Sequence, residues 1–271
     1  MSKNIGLHIR LEDSLTNVAK KALELEIKFF QTFVTLANGK YIRLEEDDVK
    51  QFLKLRDKFE NTYLHGSYWI NLCSAKGRGL GILKRELKIA NRLRFSHLIL
   101  HPGAATGFKT KNEGIQKLAD NLNEVLKNEF ETQIVLENTT HGRLSIGGDL
   151  KDYQKLLTLL EKPEQIKFCI DSAHAYGYGY EISKPETLKK FIEEIDKTIE
   201  IQNVVLLHLN DTREKLGSKI DKHMVPGEGV LGKENLQNFI RSFNPDLPIL
   251  IELSASDDHR NAEILEEIRT W

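Results

Sequence analysis

The stretch Ile134-Val135-Leu136-Glu137 is a short apolar run that ends in a residue able to bind a metal ion. Five other apolar runs end in the same way, and their terminal residues are His65, His101, Asp171, His208 and Glu252. Successive members of this set of six are 36, 36, 34, 37 and 44 residues apart. A period of about 35 residues fits one strand, one helix and two loops, which is the repeating unit of a (β/α)₈ barrel.

Segments with helical periodicity separate these apolar runs. They cover residues 15–26, 48–59, 83–93, 114–127, 153–160, 185–199, 233–243 and 261–271. Two further apolar runs, 5–8 and 28–33, complete eight strand-helix units. Strands that are apolar throughout are typical of parallel sheets buried on both faces. We therefore predict an α/β fold, a single (β/α)₈ TIM barrel domain over residues 1–271; a doubly wound open sheet is the alternative.

The composition limits the classes of function. The chain has 271 residues, 29% of them charged, and a formal net charge of −1, so it has no overall basic excess of the kind that purely electrostatic nucleic-acid binders carry. Cys73 and Cys169 form no paired motif, which favours reduced thiols. No apolar stretch reaches the ~20 residues needed to span a bilayer, and no signal-peptide pattern precedes the first strand. We expect a cytoplasmic protein that does not bind membranes and is a monomer.

The ends of parallel barrel strands meet on one face, so the six terminal residues are expected to lie close together. His174, three residues after Asp171, joins them if a tight turn follows the strand, and Asp221 and His223 share a face on an extended segment. Nine ligands are too many for one ion, because a zinc site takes three or four. Two or three ions that share a carboxylate would use them all. Such clusters bind anionic substrates and suit phosphodiester hydrolysis.

Other residues near these strand ends have two interpretations. His8 ends the first strand and is either a ligand or a hydrogen-bond partner of one, whereas His97 starts a strand and lies away from the functional face. Tyr68 and Trp69, on the loop after His65, either pack on the barrel rim or contact the bases of a nucleic acid. Arg143 and Lys219 belong to a set of cations on the same face that is either solvated or binds phosphates.

The order of the motifs resembles the endonuclease IV family of apurinic/apyrimidinic (AP) endonucleases. The resemblance covers nearly the whole chain from residue 62 onward. The matching segments are His65-Gly-Ser-Tyr-Trp-Ile-Asn-Leu72, His101-Pro-Gly103, Leu136-Glu-Asn-Thr139, Cys169-Ile-Asp-Ser-Ala-His-Ala175, His208-Leu-Asn-Asp211, Gly217-Ser-Lys-Ile-Asp-Lys-His223, Gly227-Glu-Gly229, Gly232 and Ile251-Glu252.

The resemblance implies three zinc ions at one face of a TIM barrel, with manganese as an alternative at one or more sites. It assigns the first zinc to His65, His101 and Glu137, and the second to Glu137, Asp171, His208 and Glu252. It assigns the third to His174, Asp221 and His223. It also implies that Tyr68 and Asn71 touch DNA near the lesion.

The N-terminal part departs from the family pattern. The family has small residues after its first strand, where this chain has Arg10-Leu-Glu-Asp-Ser14. An arginine that enters the DNA stack after the second strand is absent; Asn38-Gly-Lys-Tyr41 stands there, and Lys40 is a partial substitute. The stretch Thr140-His-Gly-Arg143 also differs. These changes bear on DNA affinity and lesion preference, and they leave the predicted chemistry intact.

The sequence thus predicts a DNA repair endonuclease that acts on double-stranded DNA containing abasic sites. It would cut 5′ to the lesion, with Glu252 orienting the nucleophile and Glu137 bridging two ions, and would also clean blocked 3′ ends. The first alternative is a sugar isomerase or epimerase that holds one ion with Glu137, Asp171, His208 and Glu252. The second is a non-catalytic protein that binds DNA lesions.

Overall fold

Eight parallel strands form a closed barrel in which each strand is hydrogen-bonded to the next and the eighth to the first. The structure is a computed structural model that describes residues 4–36, 39–253 and 258–271. The strands are β1 (Ile5–His8), β2 (Phe29–Thr32), β3 (Asn61–His65), β4 (His97–Leu100), β5 (Gln133–Glu137), β6 (Ile166–Asp171), β7 (Val204–His208) and β8 (Ile249–Ile251). The predicted (β/α)₈ barrel is confirmed, and the open-sheet alternative is wrong because β1 pairs with β8.

Helices surround this barrel. They are α1 (Leu15–Glu24), α2 (Glu46–Arg56), α3 (Arg78–Arg92), α4 (Lys111–Val125), α5 (Lys151–Leu157), α6 (Ser172–Tyr178), α7 (Pro185–Ile199), α8 (Gly232–Arg241) and α9 (Asp258–Arg269). Eight of them overlap the helices that the periodicity predicted. The sequence did not predict α6, because its seven residues are too short to show a helical period. Among the described residues, no helix is long and apolar enough to cross a membrane.

Local signals explain where several helices begin. The Ser14 side chain accepts a hydrogen bond from the Asn17 backbone N–H at the start of α1. Thr110 and Glu113 form a capping box at the start of α4, in which each side chain accepts from the other's backbone N–H. Helix α7 begins at Pro185, a residue suited to the first helical position.

One apolar layer fills the barrel lumen. It consists of Phe29, Tyr63, Ile99, Val135, Cys169, Leu206 and Leu250, one residue from each strand from β2 to β8. Strand β1 contributes Gly6, where an added Cβ would lie 2.4 Å from the Phe29 carbonyl oxygen and 2.5 Å from its ring. The missing side chain therefore makes room for the phenylalanine. A separate, larger core lies between the outer face of the barrel and the helices.

We predict that Gly6→Ala destabilises the protein by about 1–3 kcal/mol, because the added methyl group overpacks the lumen against the Phe29 backbone. Urea unfolding would measure the change. Gly81→Ala in α3 is the matched control: apart from its chain neighbours and the backbone of its own helix, no atom lies within 4 Å of the added Cβ, so alanine should stabilise the helix by about 0.5–1 kcal/mol. Equal stability of the Gly6→Ala variant and the parent would contradict this account of the lumen.

Candidate metal centre

The predicted ligands lie in a second layer of side chains in the barrel lumen, above the apolar one, which we call the ligand layer. Successive residues of a strand point to opposite faces, so a residue two positions after an inward-facing residue also points inward. The residues two positions after the apolar layer and Gly6 are His8, Gln31, His65, His101, Glu137, Asp171, His208 and Glu252. Six of these eight are the strand-end ligands of the sequence prediction. The closed barrel thus brings residues from six distant segments to one place.

The first group consists of His65, His101 and Glu137, whose ligand atoms lie within 4.8 Å of one another. The Nε2 atoms of His65 and His101 lie 3.3 and 3.1 Å from the same carboxylate oxygen, Oε2 of Glu137. The Nδ1 atom of His65 lies 2.8 Å from the carbonyl oxygen of Gly66, to which it donates. The Nε2 atom of neutral His65 therefore carries its lone pair, and this lone pair faces the carboxylate.

The second group consists of Glu137, Asp171, His208 and Glu252. The Nδ1 atom of His208 lies 3.1 Å from Oε1 of Glu137 and 3.5 Å from Oε2 of Glu252. Asn210 holds the other two carboxylates together, because its Nδ2 donates to Asp171 at 2.6 Å and to Glu252 at 3.2 Å. Glu137 belongs to this group and to the first one, so it can bridge two ions.

The third group lies at the N-terminus of α6. The tight turn that the sequence predicted after Asp171 is instead the first turn of this helix, and Asp171 caps it by accepting from the His174 backbone N–H at 2.7 Å. His174 and His223 form a group with Asp171. Their Nε2 atoms are 3.2 Å apart, and Oδ1 of Asp221 lies 3.1 and 3.3 Å from them. The structure therefore brings Asp171 as well as the three predicted residues to this position.

Asp211 organises the long loop that carries Asp221 and His223. Its carboxylate accepts hydrogen bonds from five backbone N–H groups, all at 2.8–3.1 Å. The donors are Thr212, Gly227, Gly229, Leu231 and Gly232.

Asp211 also pairs with Met224 through two backbone hydrogen bonds. Since Met224 follows His223 directly, this pairing fixes the position of the ligand.

The electrostatics of the three groups favour bound cations. Burial raises the pKa of Glu137, but the charges of His208 and His101 outweigh it and hold the pKa of this carboxyl well below its ordinary value. Burial lowers the pKa of His174, but the charge of Asp171 and the hydrogen bond to Asp221 raise it well above the ordinary value. The cluster therefore retains positive charge, which protons supply when no metal ion is bound.

The donor atoms fit divalent metal ions. The Nδ1 atom of His174 lies 2.9 Å from the carbonyl oxygen of Asn138, to which it donates, so the neutral ring directs its Nε2 lone pair toward His223. Close contacts between lone pairs, and between a lone pair and a carboxylate, are repulsive unless a cation lies between the atoms. Imidazole nitrogen and carboxylate oxygen are the ligands that zinc and related ions prefer.

Tyr68 and Trp69 lie at the edge of the cavity above the candidate ligands. This cavity has a volume of about 1130 Å³ and is also lined by His65, His174 and Glu252. The two aromatic side chains are 77% and 71% exposed. The ring centroid of Tyr68 is 6.2 Å from that of His65. Such exposure is unusual for large aromatic side chains and suits a surface that contacts a partner; their contact with DNA stays a prediction.

The other residues predicted to bind DNA have different surroundings. Oδ1 of Asn71 accepts from the backbone N–H groups of Cys73 and Ala104, so its amide joins two loops. Nζ of Lys219 lies 3.3 Å from the ring centroid of Tyr178. Arg143 and Lys40 are exposed.

The described residues do not include Asn38, which precedes Lys40 by two positions. For Asn71, Lys219, Arg143 and Lys40, the contacts with DNA remain predictions.

The sequence does not predict Gln31 as part of the site, and it leaves the role of His8 open. Both occupy the ligand layer, and the Nδ1 atom of His8 is 3.7 Å from Oε1 of Glu252. The missed signal is a glutamine inside an apolar strand, two positions after an inward-facing phenylalanine. His97 begins β4, stacks on Tyr63 and lies at the opposite end of the strands from the ligands, as the sequence predicted.

Comparisons with known proteins identify similar chains. Residues 19–271 match the family described as "Xylose isomerase-like TIM barrel". "Probable endonuclease 4" of Thermosipho melanesiensis is 30% identical over 268 residues, which cover 95% of this chain and 94% of that protein. The protein of the same name from Nitrosopumilus maritimus is 29% identical, with 98% and 99% covered.

Solved structures match the fold. Endonuclease IV from Thermus thermophilus superposes with a TM-score of 0.81 at 21% identity, and 98% of each chain is covered. D-psicose 3-epimerase from Clostridium cellulolyticum superposes with a TM-score of 0.63 at 12% identity, and 100% of this chain and 96% of that chain are covered.

For protein freed of metal by chelation, we predict that folding stability falls as the pH rises above about 6.5. Four histidines have raised pKa values in the folded state: His65, His174, His208 and His223. Their contribution is complete below the unfolded histidine value of about 6.5 and is lost as the pH rises through the folded values. The pKa values of Glu137 and Glu252 are lowered, so their contribution is lost only as the pH falls below about 4.3 and through the folded values.

Thermal unfolding in chelator at a series of pH values would measure this dependence. Protein with excess zinc is the control, because bound metal replaces the protons and its midpoint should not fall over the same range. A midpoint in chelator that rises with pH above about 6.5 would show that the histidines are not held protonated.

Proposed function

The chain belongs to the endonuclease IV family, whose fold is the xylose isomerase-like TIM barrel, and on this basis we propose that it hydrolyses the phosphodiester 5′ to an abasic site in double-stranded DNA. The products would be a 3′-hydroxyl and a 5′-deoxyribose phosphate. The observation that carries this proposal is the set of three adjoining ligand groups, in which Glu137 and Asp171 each belong to two. Adjoining ions suit phosphodiester hydrolysis better than isolated ones.

Each ligand group has the donors for one ion, so we propose three zinc ions, with manganese as an alternative at one or more sites. Ions held there would supply a nucleophile at neutral pH and stabilise negative charge on the phosphate oxygens. Glu137 and Asp171 each belong to two adjoining ligand groups, so each of them sets the distance between those two groups. Because both carboxylates are fully buried and hydrogen-bonded, their positions are set before substrate binds.

Glu252 is the residue to which we assign orientation of the attacking water. Gln31 donates to its Oε1 at 2.6 Å and Asn210 donates to its Oε2 at 3.2 Å, so the carboxylate cannot rotate freely. A carboxylate fixed in this way can accept a hydrogen bond from the attacking water and direct its oxygen toward phosphorus. Glu252 lines the cavity that Tyr68 and Trp69 border, which is where an extrahelical sugar and its phosphate would enter.

The same bond type occurs at 3′ ends that carry a blocking group, so we propose a weaker activity that removes such groups and leaves a 3′-hydroxyl. The alternative, an isomerase or epimerase with one ion, would use only Glu137, Asp171, His208 and Glu252. It leaves His65, His101, His174, Asp221 and His223 without a function. A lesion-binding protein without catalysis would not need a carboxylate that is held in place to orient water.

We predict that purified protein incises a duplex with one defined abasic site and contains two to three zinc-like ions per chain. The test combines elemental analysis with cleavage assays in the presence and absence of chelator, and identifies both new DNA ends. An intact duplex of the same sequence is the control. One ion per chain together with turnover of a sugar would support the isomerase, and binding of the abasic duplex without cleavage would support the non-catalytic protein.

We predict that Glu252→Gln retains the fold and binds abasic DNA but cleaves it about 10²- to 10⁴-fold more slowly, because the amide lacks the charge with which the carboxylate orients the attacking water. Single-turnover cleavage and a binding assay on the same duplex would separate the two effects. Glu193→Gln, an exposed position on α7, is the control for loss of one carboxylate. Turnover by Glu252→Gln within a few-fold of the parent would mean that another residue orients the nucleophile.

We predict that Tyr68→Ala reduces the discrimination between abasic and intact duplex by about 1–3 kcal/mol, the usual contribution of one stacking aromatic residue. Affinities for both duplexes and the metal content would be measured together, and the metal content should not change. Val230→Ala removes an exposed apolar side chain outside the cavity and serves as the control. Parent-like discrimination by Tyr68→Ala would favour the interpretation that this loop only packs on the rim.

A further inference from the structure

Two of the eight positions in the ligand layer are occupied by residues that no ligand group includes. His8 fills the position on β1 and Gln31 fills the position on β2. Gln31 has no exposed surface, and it lies next to the second group. A polar side chain buried among candidate ligands must be hydrogen-bonded, so the partners of its amide indicate its role.

The three contacts of the Gln31 amide fix its orientation. The Nε2 atom lies 2.6 Å from Oε1 of Glu252 and 2.9 Å from Nδ1 of His8, and the Oε1 atom lies 3.0 Å from Nε2 of His208. A carboxylate only accepts hydrogen bonds, so the amide nitrogen must face Glu252. The amide oxygen must then face His208, which can only donate to it.

This orientation determines which nitrogen of His208 is free. Because Nε2 of His208 donates to Gln31, the neutral ring carries its proton there and its lone pair on Nδ1. The Nδ1 atom is the one that faces Glu137 at 3.1 Å and Glu252 at 3.5 Å in the second group. The opposite tautomer would direct an N–H toward the metal position and could not act as a ligand.

We propose that Gln31 is a positioning residue for the second ligand group: it selects the Nε2–H tautomer of His208 and fixes Oε1 of Glu252. The inference rests on the proposed metal-dependent function, because it concerns how the metal position is prepared. The Nδ1 atom of His8 accepts the second amide hydrogen and so completes the hydrogen bonding of the amide nitrogen. Residues that orient metal ligands in this way typically change metal affinity by about 10- to 100-fold when they are replaced.

Nuclear magnetic resonance of the parent protein with ¹⁵N-labelled histidine tests the tautomer directly. Two-bond proton–nitrogen correlations distinguish the Nε2–H form from the Nδ1–H form, and zinc-loaded protein should show His208 as Nε2–H with Nδ1 bound to metal. An Nδ1–H tautomer of His208 would overturn the proposal without any substitution.

Substitutions at the same position separate positioning from packing. In Gln31→Met, the new side chain has nearly the same volume but neither donates nor accepts hydrogen bonds. The Nε2–H tautomer of His208 should therefore no longer be favoured over the Nδ1–H tautomer. Zinc affinity of the second group should fall by about 10- to 100-fold, as measured by competition with a chromophoric chelator. Gln31→Glu retains an acceptor for His208, and should therefore retain the parent tautomer.

Thr32→Val is the matched control, because Thr32 is also buried, is the next residue of β2 and points to the other face of the strand. It should have the zinc affinity and the His208 tautomer of the parent. Parent-like zinc affinity and tautomer in Gln31→Met would overturn the inference alone. Absence of zinc binding by the parent would instead overturn the proposed function.

If Gln31→Met fails to fold, the spectra of Gln31→Glu and of the parent still test whether Gln31 selects the tautomer of His208. A parent tautomer in Gln31→Glu supports the selection of the tautomer by the acceptor, and an altered one overturns it.

Discussion

Glu137 lies at the carboxyl end of β5 with no exposed surface, and a carboxylate in that position requires nearby positive charge. His65, His101 and His208 all direct a ring nitrogen to within 3.3 Å of its two oxygens. This arrangement is unfavourable without cations, whether they are protons or metal ions. The requirement for positive charge at the centre of the barrel therefore explains why so many histidines and carboxylates are placed together, since each ion that they hold offsets their mutual repulsion.

The barrel makes this concentration of charge sterically feasible. An apolar layer closes the lumen below the ligands, and Gly6 gives the Phe29 ring its space in that layer. The strands then present one side chain each to the layer above. Rigid strands hold these side chains more precisely than loops could, which matters because metal ligands must be placed within tenths of an ångström.

Hydrogen bonds around the ligands fix the orientation and the tautomer in which each ligand side chain faces the site. Asn210 links Asp171 to Glu252, and the Asn138 carbonyl accepts from Nδ1 of His174. Asp211 accepts from five backbone amides of the loop that carries the third group. These contacts set carboxylate orientation, histidine tautomer and loop position separately.

The barrel and the candidate ligands could be predicted from the chain alone, because both depend on local patterns: apolar runs of strand length, their spacing, and the residue type at each end. Two features required the folded molecule: the membership of Asp171 in the third group, and the link that Asn71 makes between two loops. Folding also places Gln31 between His208 and Glu252. These features depend on contacts between residues as many as 221 positions apart, and on side-chain directions that barrel closure imposes. No local pattern encodes such contacts, since each arises only when all eight strands are in register.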